Sequence, residues 1–250
     1  MAVLNNLWLH IGLGKCAHRH LAYSLVRDKY VAATVADVMA KRSFPNLLAS
    51  DGYVVHEKFS GVRWGEGEVN NTEEMAEVAK KCFPGASILL IVRRQDTYME
   101  SLYNQLVKRG ETMEFDEWFK WLPIDNFQWH KIVETYERHF NNVQVIPMER
   151  EMLGQSLLSA VVSVTGLRTV AGASETTIHN PSLDKEYLPI VRASNAVLQG
   201  KARFEAADYL SKLHPKSPHE SHDLMSTEKR EVIMDYFEDS NKGLGIEWPR

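Results

Sequence analysis

Residues 7 to 25, LWLHIGLGKCAHRHLAYSL, constrain the fold more than any other stretch of the chain. An apolar run of Leu7, Trp8, Leu9 and Ile11 breaks at Gly12 and Gly14, passes Lys15, and re-emerges at Leu21 and Leu25, four apart as one helix face requires. The pattern predicts strand, tight loop, helix. Glycines let the loop turn sharply, and the first turn of the next helix aims unpaired N–H groups and a positive dipole end back at it. Such a junction cradles phosphate or sulfate groups. Lys15 inside the loop and Arg19 just behind it add two positive charges.

Three anion-loop chemistries compete for these residues. A Walker A loop, G-x-x-x-x-G-K-[ST], needs glycine where Leu9 stands and a hydroxyl where Cys16 stands, which disfavours a Mg²⁺-dependent triphosphatase. Gly12-Leu13-Gly14-Lys15-Cys16-Ala17 fits the dinucleotide form G-x-G-x-x-A, with Asp28 or Asp37 as the acidic residue expected about twenty positions on. That reading implies a nicotinamide oxidoreductase. The third is a resemblance: HIGLGKCAHRHL is similar to the opening loop of sulfotransferases that use 3′-phosphoadenosine 5′-phosphosulfate (PAPS). Lys15 matches the loop lysine that contacts the 5′-phosphosulfate and bridging oxygen in that family. Where the family has proline, glycine and two hydroxyl residues, this chain has Gly14, Ala17, His18 and Arg19. Backbone donors survive such a change, whereas hydroxyl contacts to the phosphate do not.

A second constellation narrows the choice. Ser87 to Val92, SILLIV, is apolar on both faces, as central parallel strands are, and Arg93 ends it. Tyr98, Leu102 and Leu106 then recur at four-residue spacing on a helix, with Ser101 eight positions after Arg93. This arrangement resembles the family's other signature, in which a strand-end arginine and a helical serine bind the 3′-phosphate. Arg94 and Gln95 replace its usual Asn-Pro pair. Arginine suits a phosphate dianion because its planar fork makes two charge-assisted bonds. Two phosphate-type sites on two strand-to-helix junctions favour PAPS over a dinucleotide. Fainter similarities lie at Tyr53 to Phe59, at His179-Asn180-Pro181-Ser182-Leu183 and at Asp239 to Leu244.

The rest of the chain bounds this reading. No Gly/Ser- or Pro-rich linker divides the 250 residues, so one domain over 1–250 is expected. A net charge of −4 argues against a general nucleic-acid binder. Cys16 and Cys82 are too few for a disulfide scaffold, and no apolar run reaches the length of a membrane span. A cytoplasmic protein without membrane partners is expected.

Along the chain, Tyr30 to Ala49 reads as a short helix between loops, and Tyr53 to Phe59, after the Asp51-Gly52 turn, as a strand. Its end places His56 and Glu57 near the Lys15 loop if the sheet is parallel. Gly61 to Asn71 reads as an exposed, mobile loop, and Thr72 to Phe83 as a helix stopped by Pro84-Gly85. Amphipathic helices are expected over Glu111–Leu122 and Trp129–Phe140, a strand over Val143–Ile146 closed by Pro147, and helices over Met152–Thr165 and Leu188–Leu198. Arg168 to Pro181 reads as a surface loop. Ser226-Thr227-Glu228 caps a last helix through Glu238, and His214, His219 and His222 fall on a solvated loop. Trp118 and Trp129 lie on core stripes; Trp121 lies off them.

The fold expected is α/β: a single-domain P-loop-like three-layer sandwich with a mostly parallel central sheet and helices on both faces. The resemblance implies sulfuryl transfer from PAPS to a hydroxyl or amine of a small-molecule or glycan acceptor, with PAP (adenosine 3′,5′-bisphosphate) as product and no metal. Gly12, Gly14, Lys15, Cys16, Ala17, His18, Arg19, Arg93 and Ser101 are its cofactor-binding candidates. Lys15 takes the leaving-group charge, and Glu57 is the first candidate for general base, followed by His56 and His18. Cys16, His18 and His20 alternate as metal ligands sometimes do, but on a starting helix they diverge. A member that binds nucleotide or partner without turnover is the alternative, because the altered 17–19 segment touches the donor site.

Overall fold

The computed structural model describes residues 7–13, 16, 21, 25, 30–31, 52–55, 57–65, 67–148, 155–169, 182–214, 216 and 222–248. Their strands are β1 (Leu7–His10), β2 (Tyr30–Val31), β3 (Gly52–Val55), β4 (Ser87–Arg93) and β5 (Val143–Met148). Their helices are α1 (Thr72–Cys82), α2 (Gln95–Lys108), α3 (Phe115–Lys120), α4 (Trp129–His139), α5 (Gln155–Thr165), α6 (Leu188–Val197), α7 (Gly200–Leu213), α8 (Thr227–Tyr236) and α9 (Glu238–Gly243). The class is α/β. The chain falls into two compact units: residues 1–93, 123–177 and 239–248 in the first, and 94–122, 178–238 and 249–250 in the second.

The first unit holds the sheet, in the order β2-β3-β1-β4-β5, with every neighbouring pair parallel. β1 is central, and all four of its residues are buried, as are Ile88 to Val92 of β4. Continuous apolar strands are what a sheet covered on both faces demands. Side chains with polar tips tie the surrounding elements to it. Trp8 Nε1 donates to the Thr165 carbonyl at 3.1 Å, Trp129 Nε1 to the Arg93 carbonyl at 2.9 Å, and the Tyr136 hydroxyl to the Phe59 carbonyl. Burial drives the Tyr136 phenol far above its ordinary pKa, so it remains a donor.

Several elements depart from the sequence expectation. Tyr30–Val31 is a short strand rather than part of a helix, its backbone pairing in parallel with Tyr53–Val54; residues 32–50 lie outside those described. The strand expected through Phe59 ends at Val55, and Glu57–Ser60 curls into a 3-10 turn. β5 continues through Pro147, which faces Val92, because β5 is an edge strand where a missing N–H is tolerated. The 61–71 loop is hydrogen-bonded rather than loose: Asn126 Nδ2 donates to the Arg63 and Glu68 carbonyls, Asn70 Nδ2 to Asn126 O, and Arg63 N–H to Asn70 Oδ1. Gly61, at φ 70°, starts it where a Cβ would lie 2.5 Å from the Thr72 backbone.

The second unit is helical and built on α2. Tyr98 and Leu102 are buried as expected, but so are Asp96, Glu100, Ser101 and Asn104. Asn104 exchanges two hydrogen bonds with the Leu183 backbone, and Asn195 Nδ2 donates to the carbonyls of Val107 and Glu111, closing the α2 C-terminus. The helix expected from Glu111 starts only at Phe115, because the Glu111 carboxylate accepts from the Thr112 and Met113 N–H groups and holds a turn. Ser226 caps α8 through the Lys229 N–H, as the sequence predicts. His214 is exposed and stacks on Tyr187, but His222 is buried, contrary to a wholly solvated loop; His219 lies outside the described residues.

Candidate functional site

In an open parallel sheet, ligands bind beyond the carboxyl ends of the strands where the chain switches direction. Here the chain places β2 and β3 on one side of β1, then β4 and β5 on the other, so the switch lies between β1 and β4. Ile11 N–H bonds to Leu89 O at 3.1 Å, carrying the β1 to β4 pairing one residue past the strand. The chain then leaves the sheet at Gly12, which is buried and has φ 84°. This left-handed conformation costs any other residue roughly 1–2 kcal/mol, which explains the first glycine of the loop. Cys16 N–H closes back on Leu13 O at 3.2 Å, and the Cys16 side chain is completely buried. It fills core volume.

Two further strand ends frame the same edge of the first unit. The register pairs His10 with Val55, so β1 and β3 end level, and Glu57 follows two residues beyond in its 3-10 turn. Arg93 ends β4 opposite Met148, its side chain half-buried and its carbonyl held by Trp129. The sequence predicts Trp129 only as core; its indole N–H also fixes the strand end that presents Arg93. His10 is a second residue that motif reasoning passes over. It is fully buried, and its Nδ1 lies 2.6 Å from the Tyr53 hydroxyl, bridging the two strands beneath the loop.

Ser101 belongs to α2 of the second unit and is buried there. The α2 carboxylates Asp96 and Glu100 are engaged by Arg94 and Arg230. Arg94 Nε lies 3.0 Å from Asp96 Oδ1, and Arg230 bridges Asp96 Oδ2 at 2.9 Å and Glu100 Oε1 at 2.5 Å. Glu100 Oε1 also accepts the Leu224 and Met225 N–H groups. Burial opposes the Arg230 charge, but the Glu100 charge and the Asp96 hydrogen bond outweigh it and hold its pKa above the usual value.

Gly14, Lys15, Ala17, His18, Arg19 and His56 lie outside the described residues, as do His20, Asp28 and Asp37. Among the tryptophans, Trp118 and Trp129 are buried and Trp121 is exposed, as their positions on and off the helical stripes predict.

No family model matches the sequence, and no curated protein matches it. Solved structures do. One of them is a sulfotransferase from Alicyclobacillus acidocaldarius, 16% identical, with 82% of this chain and 96% of that chain covered and a TM-score of 0.47. Among the described residues no helix is long and apolar enough to cross a membrane.

Proposed function

We propose that this chain is a PAPS-dependent sulfotransferase. The observation that carries the reading is the adjacency of β1 and β4 at the centre of a parallel sheet, with the Gly12 loop leaving one strand end and Arg93 standing on the other. Two loops that resemble phosphate-binding motifs in sequence thus leave neighbouring strands at one edge. The nicotinamide reading fits less well: a dinucleotide fold of strand order 3-2-1-4-5-6 sets β2 beside β1, whereas here β3 takes that place and β2 lies outside it.

Bound PAPS supplies an activated sulfuryl group. Gly12 leaves room for backbone donors at the 5′ end, and Lys15 neutralises charge that develops on the departing phosphate. Arg93 and Ser101 hold the 3′-phosphate, as the resemblance implies. Glu57 takes the acceptor's proton, with His56 and His18 as further candidates for that role, while the rest of the site aligns the acceptor for in-line attack. Neutral or hydroxyl-bearing small molecules and glycans are the acceptors that such a base serves.

The test is transfer of ³⁵S from labelled PAPS to a panel of phenols, alcohols, amines and glycans. Lys15→Ala should lower turnover by about two orders of magnitude or more, the worth of one electrostatic donor. Glu57→Gln should lower kcat while leaving PAP affinity within about twofold, because the base serves the acceptor and not the nucleotide. Near-normal turnover in Lys15→Ala removes that residue from the mechanism. PAP binding without transfer to any acceptor favours the non-catalytic binder.

A further inference from the structure

α7 is a helix that the sequence pattern hides, and the reason is that its large apolar residues face outward. Ala207 and Ser211 form its buried side, and Arg203 is tied to its own unit through the Leu198 carbonyl at 3.0 Å. Tyr209 is 63% exposed and Leu213 53%. With Ala202 and Ala206 they make a stripe at 202, 206, 209 and 213, spacing four, three, four, which is the seam of a coiled coil. A surface helix normally reverses this arrangement.

We infer that α7 is a self-association seam, on which a second copy of this chain packs its own α7 antiparallel. Size complementarity selects that direction. Run antiparallel, Tyr209 meets Ala206 of the other copy and Leu213 meets Ala202, so large knobs fall on small residues at every layer. A parallel pair sets Tyr209 on Tyr209 and Ala206 on Ala206, crowding one layer and leaving a gap in the next.

Charge agrees. Glu205 and Lys212 flank the stripe on the same side, at the positions that face each other across an antiparallel seam, so each copy offers its glutamate to the other's lysine twice over. Within one chain these residues pair only along the exposed helix surface, Lys201 with Glu205 at 2.8 Å and Lys212 with Asp208 at 2.6 Å. The same four residues sum to zero charge, which disfavours an anionic lipid surface as the occupant, since helices that lie on membranes carry a lysine- and arginine-rich polar face. Fourteen residues span about 21 Å. One face of that length falls short of the roughly 800 Å² per partner typical of tight complexes, so the dimer forms in a concentration-dependent manner.

Sedimentation of the full chain from about 5 to about 500 µM should show the mass rising from 28.6 kDa toward twice that value. Tyr209→Lys should weaken association by about tenfold or more, and so should Glu205→Lys, which sets lysine against lysine. The double variant Glu205→Lys with Lys212→Glu should restore it, and so should mixing the Glu205→Lys protein with a Lys212→Glu protein, since each then meets its opposite. Circular dichroism confirms that each variant keeps its helices. A monomer at every concentration overturns the inference. So does a dimer indifferent to Tyr209→Lys, a double swap without rescue, or a Tyr209-dependent attachment of monomers to phosphatidylcholine and phosphatidylserine vesicles.

Discussion

Arg230→Met removes one guanidinium from between two carboxylates whose side chains are at most 1% exposed. Removing one partner of a buried ion pair costs about 3–5 kcal/mol, because the charge left behind is neither hydrated nor matched. Two features pull the figure toward the lower end. Arg94 still reaches Asp96, and the Leu224 and Met225 N–H groups still reach Glu100. About 3 kcal/mol is therefore expected, a fall in Tm of roughly 6–12 °C for a chain of this length. Urea unfolding followed by circular dichroism measures it, and an unchanged denaturant slope shows that stability alone moved. In a Glu100→Gln background the same substitution should cost about 1–3 kcal/mol less, since the charge that Arg230 compensates is gone. A cost below about 1 kcal/mol in the unaltered background, or an equal cost in both, refutes the coupling.

Gly12→Ala forces a side chain into φ 84°; it should lower Tm by roughly 2–8 °C, from about 1–2 kcal/mol at 2–4 °C per kcal/mol, and a thermal melt checks it. Glu73 joins α1 to α4, His139 Nε2 lying 2.6 Å from its carboxylate and Arg138 pairing with the other oxygen. The His139 hydrogen bond first, and the Arg138 one second, hold the Glu73 carboxyl below its ordinary value of 4.5. A lowered folded pKa stabilises above the unfolded value and loses that contribution as pH falls through the folded one. The Tm advantage over Glu73→Gln should thus shrink as pH falls below 4.5; an advantage that grows as pH falls below 4.5 contradicts the assignment.

What the sequence made legible was the part written in one-sided patterns. β1 and β4 were readable because runs of three and five consecutive apolar residues have one use in a parallel sheet, and the α4 stripe of Trp129, Val133 and Tyr136 because its apolar face is its buried face. β2 was not, since two residues are too few to show a period and take their state from Tyr53 and Val54. α7 escaped because its buried side is alanine and serine. The strand end that presents Arg93 was legible, but the indole that holds it was not, because a hydrogen bond from a buried ring leaves no periodic trace. The same holds for His10, whose tie to Tyr53 joins two strands that only the sheet makes neighbours.

The central claim is that the two motif loops read the two ends of one nucleotide. Thermal shift with PAP and with AMP tests it without an acceptor. A ligand at a hundred times its Kd stabilises the folded chain by about 2.7 kcal/mol, a rise of roughly 5–11 °C at this size. PAP should reach that shift, AMP should fall short because it lacks the 3′-phosphate, and Arg93→Ala should bring PAP down to the AMP value while leaving AMP nearly unchanged. Equal shifts for PAP and AMP in the unaltered protein, or a shift with NADH and none with PAP, would contradict the account.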